Sequence, residues 1–555
     1  MKTFKIVFLC IYLLCGAAVL MAQAPSWQWA TAVGGIDNEF NVGWSIKIDN
    51  QGNQYVAGWF TGTLTFGSHT LTATAGEPGE PPRDIFVAKR DAGGDWLWAV
   101  GTHVSNNKIM FGFALDAEGN TYLAGTFYET SSFGSHSLTS SGAEDVFVAK
   151  INADGNWLWA VRAGGPEQDE GYDLALDSEG NAYITGRFGG TVTFGNHSLT
   201  SSGEGDVFVA KLNAAGNWLW AVKAGGSLKD EGYCITSDGA GNTYVTGEFS
   251  GTATFGSHTL TASGEDNIFV AKLNPGGSWL WAAKAAGSNG LDLADIASDS
   301  LGNAYVTGAF LFTVTFGEDT LTTNVNDEVF VAKLSPDGNW LWAVQSEGEL
   351  HNRGFEIVLD HADNIYTTGF CYDSVTFGDH TLTSSGEHDV FVAKLSPEGS
   401  WLWVAQAGGP GIDAGCGIAL DRAGNAYVTG VFSNAATFGD HTLTAGGMFA
   451  IFVAKLGDHT PVDDYLAPQI ASRLHDAWPN PFGKGASATI KAEVPERSTG
   501  TLSIYNLRGQ RVASYELSSG LHEVNFSGEN LPAGIYFYSL QCGTFRETKK
   551  LVLLR

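Results

Sequence analysis

The sequence predicts an all-β protein with a long repeated region followed by a smaller β-sheet region of a different kind. Composition, hydrophobic spacing and internal repetition support this prediction. The 555 residues include 72 glycines and 12% aromatic side chains, which favours short strands joined by tight turns. After the first twenty residues, no segment keeps the hydrophobic period of an amphipathic helix.

Residues 1–24 have the features of a signal peptide. Two lysines begin the segment, residues 6–21 are apolar, and residues 22–24 form a small-residue cleavage site. Cys15 lies in a poor lipoprotein context, so ordinary export is the favoured interpretation. No later apolar run is long enough to span a bilayer. We therefore expect an exported protein with no transmembrane segment once the signal peptide is removed.

Seven copies of a repeat follow the signal peptide. Successive FVAK phrases lie 61 residues apart, and phrases resembling TFG and GNAYVTG recur with them. Each copy predicts four short antiparallel strands joined by turns rich in Gly and Asn. The FVAK phenylalanines are Phe86, Phe147, Phe208, Phe269, Phe330, Phe391 and Phe452.

Repeated four-stranded units favour a β-propeller over an open solenoid, because a solenoid leaves its end strands unpaired. The first WxW phrase, Trp27 and Trp29, has no FVAK strand before it. The last FVAK strand, residues 451–456, has no WxW strand after it. We therefore predict that the N-terminal strand completes the last blade and closes a seven-bladed β-propeller over residues 25–456.

Three repeated features have both a structural and a functional interpretation. Paired tryptophans such as Trp157 and Trp159 point to one strand face, and packing between blades is favoured over stacking on sugars. The turn at residues 177–181 suits an Asp-stabilised turn or a calcium loop, and its ligand spacing favours the turn. The FVAK lysines, which recur once per blade, predict pairing with nearby carboxylates.

The repeat resembles the bacterial seven-bladed β-propeller repeat family. The resemblance rests on the phrases GNAYVTG, DVFVAKLN and WxxxxGG, and it covers about Trp27 to Leu456. It implies the fold much more firmly than any activity.

The chain changes character after Leu456. Residues 457–476 are polar and contain prolines, which predicts a linker. Residues 477–555 contain short alternating strands broken by Gly, Pro and polar turns, which predicts a small Ig-like β-sandwich.

This tail resembles the type A C-terminal sorting domain of the type IX secretion system. The matching phrases are PNPF, IYNLRGQRV, LPAGIYFY and KKLVLLR. The resemblance implies recognition by the type IX machinery, removal of the tail, and a product that is released or attached to the outer surface. An ordinary terminal adhesion-like sandwich is the alternative. The sorting-signal residues are Pro479, Asn480, Pro481, Phe482, Gly534, Tyr536, Lys549 and Lys550.

Ligand-binding residues are expected where the repeats differ, since a side chain present in every blade does not build a singular site. The segments between the fourth strand of one repeat and the first strand of the next vary most. Paired carboxylates in them can do acid–base work, although charged loop ends are usually only solvated. The candidate ligand-face residues are Asp169, Glu170, Asp230, Glu231, His351 and Arg353.

The sequence contains no GxSxG elbow, phosphate loop, HExxH motif or metal-ligand spacing, so it predicts no enzyme, cofactor or metal site. Its 59 acidic and 30 basic residues give a net charge of −29, which repels nucleic acid. We predict a secreted or cell-surface binding or adhesion module whose ligand is a glycan or a protein. A polysaccharide-acting hydrolase or lyase that uses the acidic loops on one propeller face is the alternative.

Overall fold

The computed structural model shows two compact units, Met1–His459 and Thr460–Arg555. Its described residues form 44 strands and no helix, and accordingly none of them lies in a helix long and apolar enough to cross a membrane. The predicted signal peptide and nearly all of the predicted linker lie outside the described residues. The described residues are 25–34, 39–74, 83–103, 112–287, 291–323, 326–457, 473–475, 477–494, 500–518, 520–529, 531–542 and 545–555.

The strands of the first unit follow the predicted repeat. In chain order they are β1 (Ser26–Val33), β2 (Asn41–Ile48), β3 (Gln54–Thr61), β4 (Thr63–Phe66), β5 (His69–Thr72), β6 (Arg83–Arg90), β7 (Trp96–Gly101), β8 (Gly112–Leu115), β9 (Thr121–Phe133), β10 (His136–Ile151), β11 (Trp157–Ala163), β12 (Asp169–Leu176), β13 (Ala182–Phe188), β14 (Thr191–Phe194), β15 (His197–Thr200), β16 (Asp206–Leu212), β17 (Trp218–Ala224), β18 (Asp230–Ser237), β19 (Thr243–Phe255), β20 (His258–Leu273), β21 (Trp279–Gly287), β22 (Leu291–Ser298), β23 (Ala304–Phe310), β24 (Thr313–Phe316), β25 (Asp319–Thr322), β26 (Glu328–Leu334), β27 (Trp340–Gln345), β28 (Glu347–Gly348), β29 (Arg353–Leu359), β30 (Ile365–Phe377), β31 (His380–Leu395), β32 (Trp401–Ala407), β33 (Asp413–Leu420), β34 (Ala426–Phe432), β35 (Ala435–Phe438), β36 (His441–Thr444) and β37 (Ala450–Gly457).

These strands form antiparallel sheets with one recurring order. A first strand pairs with the GNAYVTG-type strand, which pairs with the FVAK strand, which pairs with the WxW strand. The TFG phrase forms a hairpin between the second and third strands, such as β14 and β15. The four-stranded cores are β2-β3-β6-β7, β8-β9-β10-β11, β12-β13-β16-β17, β18-β19-β20-β21, β22-β23-β26-β27, β29-β30-β31-β32 and β33-β34-β37-β1.

The last of these cores joins the two ends of the repeat region. β1 runs antiparallel to β37, with Trp27 opposite Leu456 and Val33 opposite Ile451. The predicted pairing of the N-terminal strand with the last FVAK strand is therefore confirmed. The first strands of the sheets also contact one another in the order β2, β8, β12, β18, β22, β29, β33 and again β2.

The paired tryptophans fill space between neighbouring sheets. The Trp157 ring meets the Phe133 ring edge-on, with centroids 5.6 Å apart. Trp159 meets Tyr122 in the same manner, and its Nε1 donates a hydrogen bond of 3.2 Å to the Ala214 carbonyl oxygen in the next sheet. These contacts agree with the packing interpretation, because each ring bridges elements that the backbone ladders do not join.

The Asp turn and the FVAK lysine form an ion pair at one end of four of the sheets. Asp177 Oδ1 accepts the backbone N–H groups of Glu179 and Asn181, at 3.0 and 2.9 Å. Lys211 Nζ lies 3.0 Å from Asp177 Oδ2 and 2.6 Å from the Tyr183 hydroxyl. Burial favours the neutral acid, but the hydrogen bonds from Asn181 and Lys211 outweigh it and lower the pKa of Asp177. This geometry agrees with turn chemistry and with lysine–carboxylate pairing.

A glycine in each second strand allows close packing on the first strand, and its replacement is expected to be costly. A Cβ atom on Gly247 would lie 1.9 Å from the Glu231 carbonyl oxygen. We expect Gly247→Ala to lower the free energy of unfolding by about 3 kcal/mol, measured by urea denaturation. Gly239→Ala is the control, because nothing lies within 4 Å of its Cβ position. Equal stability of the two variants would contradict this close approach.

The second unit contains seven short strands in two sheets, β38-β39-β42 and β41-β40-β43-β44. Apolar side chains from both sheets, among them Ile490, Leu502 and Tyr538, share one buried cluster. The strands are β38 (Arg473–Leu474), β39 (Ser487–Val494), β40 (Gly500–Asn506), β41 (Arg511–Leu517), β42 (Gly520–Ser527), β43 (Gly534–Cys542) and β44 (Phe545–Leu553).

Candidate functional site

The first strands of the sheets line a cavity of about 600 Å³, which we call the first-strand cavity. Four aromatic side chains form much of its wall, and each comes from the same place in its strand. Each is also followed directly by a second residue that lines the cavity. The wall therefore combines flat apolar surfaces with polar groups, as ligand pockets commonly do. The aromatic residues are Trp44, Tyr172, Tyr233 and Phe355.

In three of the sheets, the cavity-lining residue directly after this aromatic position carries a carboxyl group. Each accepts a backbone N–H from the first strand of the next sheet, 62 residues further along the chain. They therefore link neighbouring sheets while lining the cavity. The bonds run from Ile235 N to Asp173 Oδ2 at 2.8 Å, from Ile357 N to Asp295 Oδ2 at 2.9 Å, and from Ile418 N to Glu356 Oε2 at 2.6 Å.

These three carboxyls face one lysine. Lys47 Nζ lies 2.6 Å from Glu356 Oε1. Burial opposes the lysine charge, but the Glu356 carboxylate outweighs it, so the pKa of Lys47 is raised. Burial raises the pKa of Asp173 to about 7, and burial together with the Glu356 and Asp173 charges raises that of Asp295. The cavity thus holds more acidic groups than one ammonium group can balance.

Asp173, Cys234 and Asp295 present ligand atoms that lie within 4.8 Å of one another. Both oxygens of each carboxyl already accept backbone N–H groups. A calcium ion takes six to eight oxygen ligands, and a thiol is a poor partner for it. This trio alone therefore does not form a calcium shell, and its carboxyls are accounted for by the links between sheets.

A second group of polar side chains borders the same cavity, and we call it the tyrosine–glutamate cluster. Arg187 lies between Glu170 and Glu231, 3.7 Å from a carboxylate oxygen of each. The Tyr233 hydroxyl donates to Glu231 at 2.7 Å, and the Tyr172 hydroxyl donates to Glu170. Burial and the neighbouring glutamates raise the pKa of both tyrosines, so both hydroxyls stay protonated donors.

The structure places four of the predicted residues, Asp169, Glu170, Asp230 and Glu231, in buried positions of strands rather than in loops. Asp169 and Asp230 are buried and begin the first strands β12 and β18, so the predicted exposed loop ends two residues earlier than expected. Asp169 Oδ2 accepts the Gly165 N–H at 2.6 Å, and Asp230 Oδ2 accepts the Gly226 N–H at 2.7 Å. Their position is corrected from a ligand-face loop to a buried strand end.

The other predicted residues separate into two groups. Glu170 and Glu231 are brought together by Arg187 in the tyrosine–glutamate cluster. His351 Nδ1 and Arg353 Nη2 instead lie 3.3 and 2.8 Å from one oxygen of Asp327. Arg353 begins the first strand of its own sheet and also lines the first-strand cavity.

The sequence analysis did not single out the carboxyls inside the cavity. Asp173 lies within the phrase GYDLALD, where a charged residue interrupts a strand of small and apolar side chains. Asp295 and Glu356 interrupt the equivalent strands of later repeats. A charged residue inside a strand that is predicted to be buried is therefore the sequence signal that could have identified these carboxyls.

The predicted sorting-signal residues lie on three segments. Asn480 Nδ2 donates to the Lys550 carbonyl oxygen at 2.8 Å, and Asn480 Oδ1 accepts the Val552 N–H at 2.9 Å. The buried Phe482 donates its own N–H to the Val552 carbonyl oxygen at 3.0 Å. The PNPF phrase therefore binds along the closing KKLVLLR strand. The segments hold Pro479, Asn480, Pro481 and Phe482 before β39, Gly534 and Tyr536 in β43, and Lys549 and Lys550 in β44.

Comparison with curated proteins finds two partial relatives. An uncharacterized WD repeat-containing protein of Acanthamoeba polyphaga mimivirus is 24% identical over 73% of this chain and 36% of its own length. The regulatory protein FlaEY of Caulobacter vibrioides is 27% identical over 26% of this chain and 15% of its own length. The chain thus spans about a third or less of the curated relatives it matches.

Comparison with solved structures finds distant similarities. A protein of unknown function from Dyadobacter fermentans DSM 18053 has a TM-score of 0.38 and 9% identity, covering 79% of this chain and all of that one. A glycoside hydrolase family 43 arabinoxylan arabinofuranohydrolase from Bacillus subtilis has a TM-score of 0.25 and 11% identity, covering 92% and 94% of the two chains.

Two family matches fall on the two units separately. Residues 158–187 and 402–431 match the β-propeller repeat family, and each stretch runs from a WxW strand into the second strand of the next sheet. Residues 476–554 match the secretion system C-terminal sorting domain. The chain is therefore a protein of β-propeller repeats that ends in a type IX secretion sorting domain, which indicates a secreted or outer-surface location.

Proposed function

We propose that the protein is a binding or adhesion module carried to the cell surface or beyond by type IX secretion, with a glycan or protein ligand. Its scaffold is a closed seven-bladed propeller over residues 25–456, followed by a linker at 457–476 and an Ig-like sorting sandwich at 477–555. The β1–β37 ladder and the cyclic contacts of the first strands support the closed ring. The two packed sheets of the second unit support the sandwich.

The observation that carries this proposal is the first-strand cavity with the tyrosine–glutamate cluster at its border. Tyr172 and Tyr233 lie with their ring centroids 5.8 Å apart and both line the cavity. Aromatic faces bind sugar rings or apolar side chains, and the carboxylates beside them accept hydrogen bonds from hydroxyl or N–H groups. Such a wall suits a glycan or a peptide segment.

The arrangement of the acidic groups favours binding over hydrolysis. Asp169 and Asp230 are buried and bonded to backbone N–H groups, so they do not face a substrate. Glu170 and Glu231 accept hydrogen bonds from tyrosine hydroxyls and lie beside Arg187, so their oxygens are engaged within the protein. A hydrolase acting on polysaccharide needs one carboxyl kept as an acid, and Asp173, a cavity carboxyl with a raised pKa, has both oxygens bonded to backbone N–H groups. The polysaccharide-acting hydrolase or lyase therefore stays the second candidate.

Binding is expected to depend on the aromatic wall. The chain from residue 25 onward is applied to a glycan array and to an array of extracellular proteins, and it is assayed in parallel for cleavage of the same glycans. We expect the paired change Tyr172→Ala and Tyr233→Ala to weaken binding by at least roughly tenfold, which is about 1.4 kcal/mol. Leu219→Ala, on the exposed face of β17, is the matched control. Unchanged binding by the paired variant, or glycan cleavage by the unaltered chain, would overturn the proposal.

A further inference from the structure

Three boundaries between sheets contain two buried aspartates side by side. In each, the first aspartate lies two residues before the phenylalanine of an FVAK phrase, and the second begins the first strand of the next sheet. All six side chains belong to residues that are 0 to 1% exposed. At one boundary, a Cβ on Gly225 would lie 2.8 Å from Asp206 Oδ1 and 2.9 Å from Asp230 Oδ2, so both carboxyls border the same glycine. The pairs are Asp145 with Asp169, Asp206 with Asp230, and Asp389 with Asp413.

The first aspartate of each pair uses only one of its oxygens. Its Oδ2 accepts a hydrogen bond from a side chain on the adjoining WxW strand. Its Oδ1 is buried and receives no hydrogen bond from the described residues, at all three boundaries. A buried carboxylate oxygen that accepts no hydrogen bond is energetically costly. Its recurrence at three boundaries therefore indicates a further donor. The side-chain donors are Arg162 to Asp145 at 2.7 Å, Lys223 to Asp206 at 2.7 Å, and Gln406 to Asp389 at 2.5 Å.

The second aspartate of each pair has no cationic side chain bonded to it among the described residues. Its Oδ2 accepts a backbone N–H at 2.6 to 2.7 Å. Burial, with a smaller contribution from the charge of the first aspartate, raises the pKa of Asp169, Asp230 and Asp413 to about 7. The neutral acid is thus the favoured form inside the fold, and a neutral acid has an O–H to donate.

At a fourth boundary between sheets, an asparagine replaces the second aspartate of the pair, and its amide N–H is a donor at every pH. There, Glu328 begins the FVAK strand and Asn352 precedes β29, the places that Asp206 and Asp230 occupy elsewhere. Asn352 Nδ2 donates to Glu328 Oε2 at 3.3 Å. An amide N–H therefore lies where a protonated carboxyl would direct its O–H.

We propose that Asp169, Asp230 and Asp413 each hold a proton in the fold at mildly acidic pH and donate it to the unused Oδ1 of Asp145, Asp206 and Asp389, respectively. Three sheet boundaries are then joined by a carboxylic acid–carboxylate hydrogen bond that weakens as the pH rises. The charged groups facing these pairs are Arg162 and Glu167 at the first boundary and Lys223 at the second. The third boundary faces the neutral Gln406.

The sign of the pH effect follows from proton binding. An aspartate in the unfolded chain loses its proton near pH 4, whereas these three keep it to about pH 7 in the fold. Between those values the folded state binds more protons, so the contribution of the pairs to the free energy of unfolding falls as pH rises. Replacing the second aspartate by asparagine supplies a donor at every pH and removes this dependence.

The test compares the full chain from residue 25 with the triple variant Asp169→Asn, Asp230→Asn and Asp413→Asn. Urea midpoints are measured at pH 5 and pH 8.5. We expect the triple variant to lose less stability than the unaltered chain between these values, and to have the higher midpoint at pH 8.5. Difference infrared spectra at pH 6 are expected to show protonated-carboxyl absorption that is weaker in the triple variant, while Asp173 and Asp295 still contribute to it. Asp413→Asn alone repeats the comparison if the triple variant does not fold.

Asp177→Asn is the matched control, because the pKa of Asp177 is lowered and its titration lies below this pH range. Its midpoint is expected to fall by the same amount at pH 5 and pH 8.5. Two results would overturn the shared-proton proposal. One is an Asp413→Asn midpoint shift that is equal at both pH values. The other is protonated-carboxyl absorption at pH 6 that is equally strong in the unaltered chain and in the triple variant.

Discussion

Trp27→Ala is expected to lower the free energy of unfolding of the first unit by about 4 kcal/mol, since buried Trp-to-Ala changes cost about 3–5 kcal/mol. Trp27 is 8% exposed, and its ring meets Phe438 edge-on with centroids 5.1 Å apart. Its Nε1 also donates to the Gln406 carbonyl oxygen in the preceding sheet, at 2.9 Å. The measurement is urea denaturation followed by circular dichroism.

The control for Trp27→Ala is Leu158→Ala, in the middle of a WxW phrase. Leu158 is 45% exposed, so its removal is expected to change stability by no more than about 0.5 kcal/mol. Deleting β1 altogether is expected to cause aggregation, because the outer edge of β37 would then lie open to other chains. A soluble, equally stable chain without β1 would show that this strand does not complete the last sheet.

Lys47→Met is expected to lower the free energy of unfolding by about 3–5 kcal/mol at pH 8, because it leaves buried carboxylates without their cation. Lys47 is the ammonium group bonded to Glu356 beside Asp173 and Asp295. The loss is expected to shrink at pH 5, since the raised pKa values of both aspartates allow them to become neutral. Urea denaturation at the two pH values measures the difference.

The double variant Lys47→Met with Glu356→Gln is the matched control. It removes both charges of the pair, and it is expected to recover much of the stability that Lys47→Met loses. Glu356 also accepts the Ile418 N–H, and a glutamine oxygen keeps that acceptor. A Lys47→Met loss that is unchanged by pH and by Glu356→Gln would contradict an electrostatic role for Lys47 in the cavity.

Much of the fold follows from local patterns in the sequence. The 61-residue spacing, the alternating apolar residues and the Gly-Asn turns predict the strand order of each sheet. The unmatched WxW phrase at Trp27 predicts its partner, because the last FVAK strand lacks one. These inferences succeed because each depends on residues that are near in sequence or on a count of matching phrases.

The candidate site could be predicted only in part, because its contacts are not local. Asp173 accepts an N–H from Ile235, 62 residues away, and nothing around Asp173 in the sequence signals that donor. Asp169 was expected on a ligand-face loop because it lies in a segment that varies between the repeats. Its burial depends instead on the neighbouring sheet that places Asp145 beside it.

The β1–β37 ladder also has a consequence for when the protein can finish folding. Ser26 is paired with Gly457, so one of the earliest strands to be synthesised must wait for one of the last. The entropic cost of closing so large a loop grows only slowly with its length, and the delay therefore comes mainly from synthesis and translocation. Until residue 457 has emerged, β1 lacks the strand with which it pairs in the folded protein.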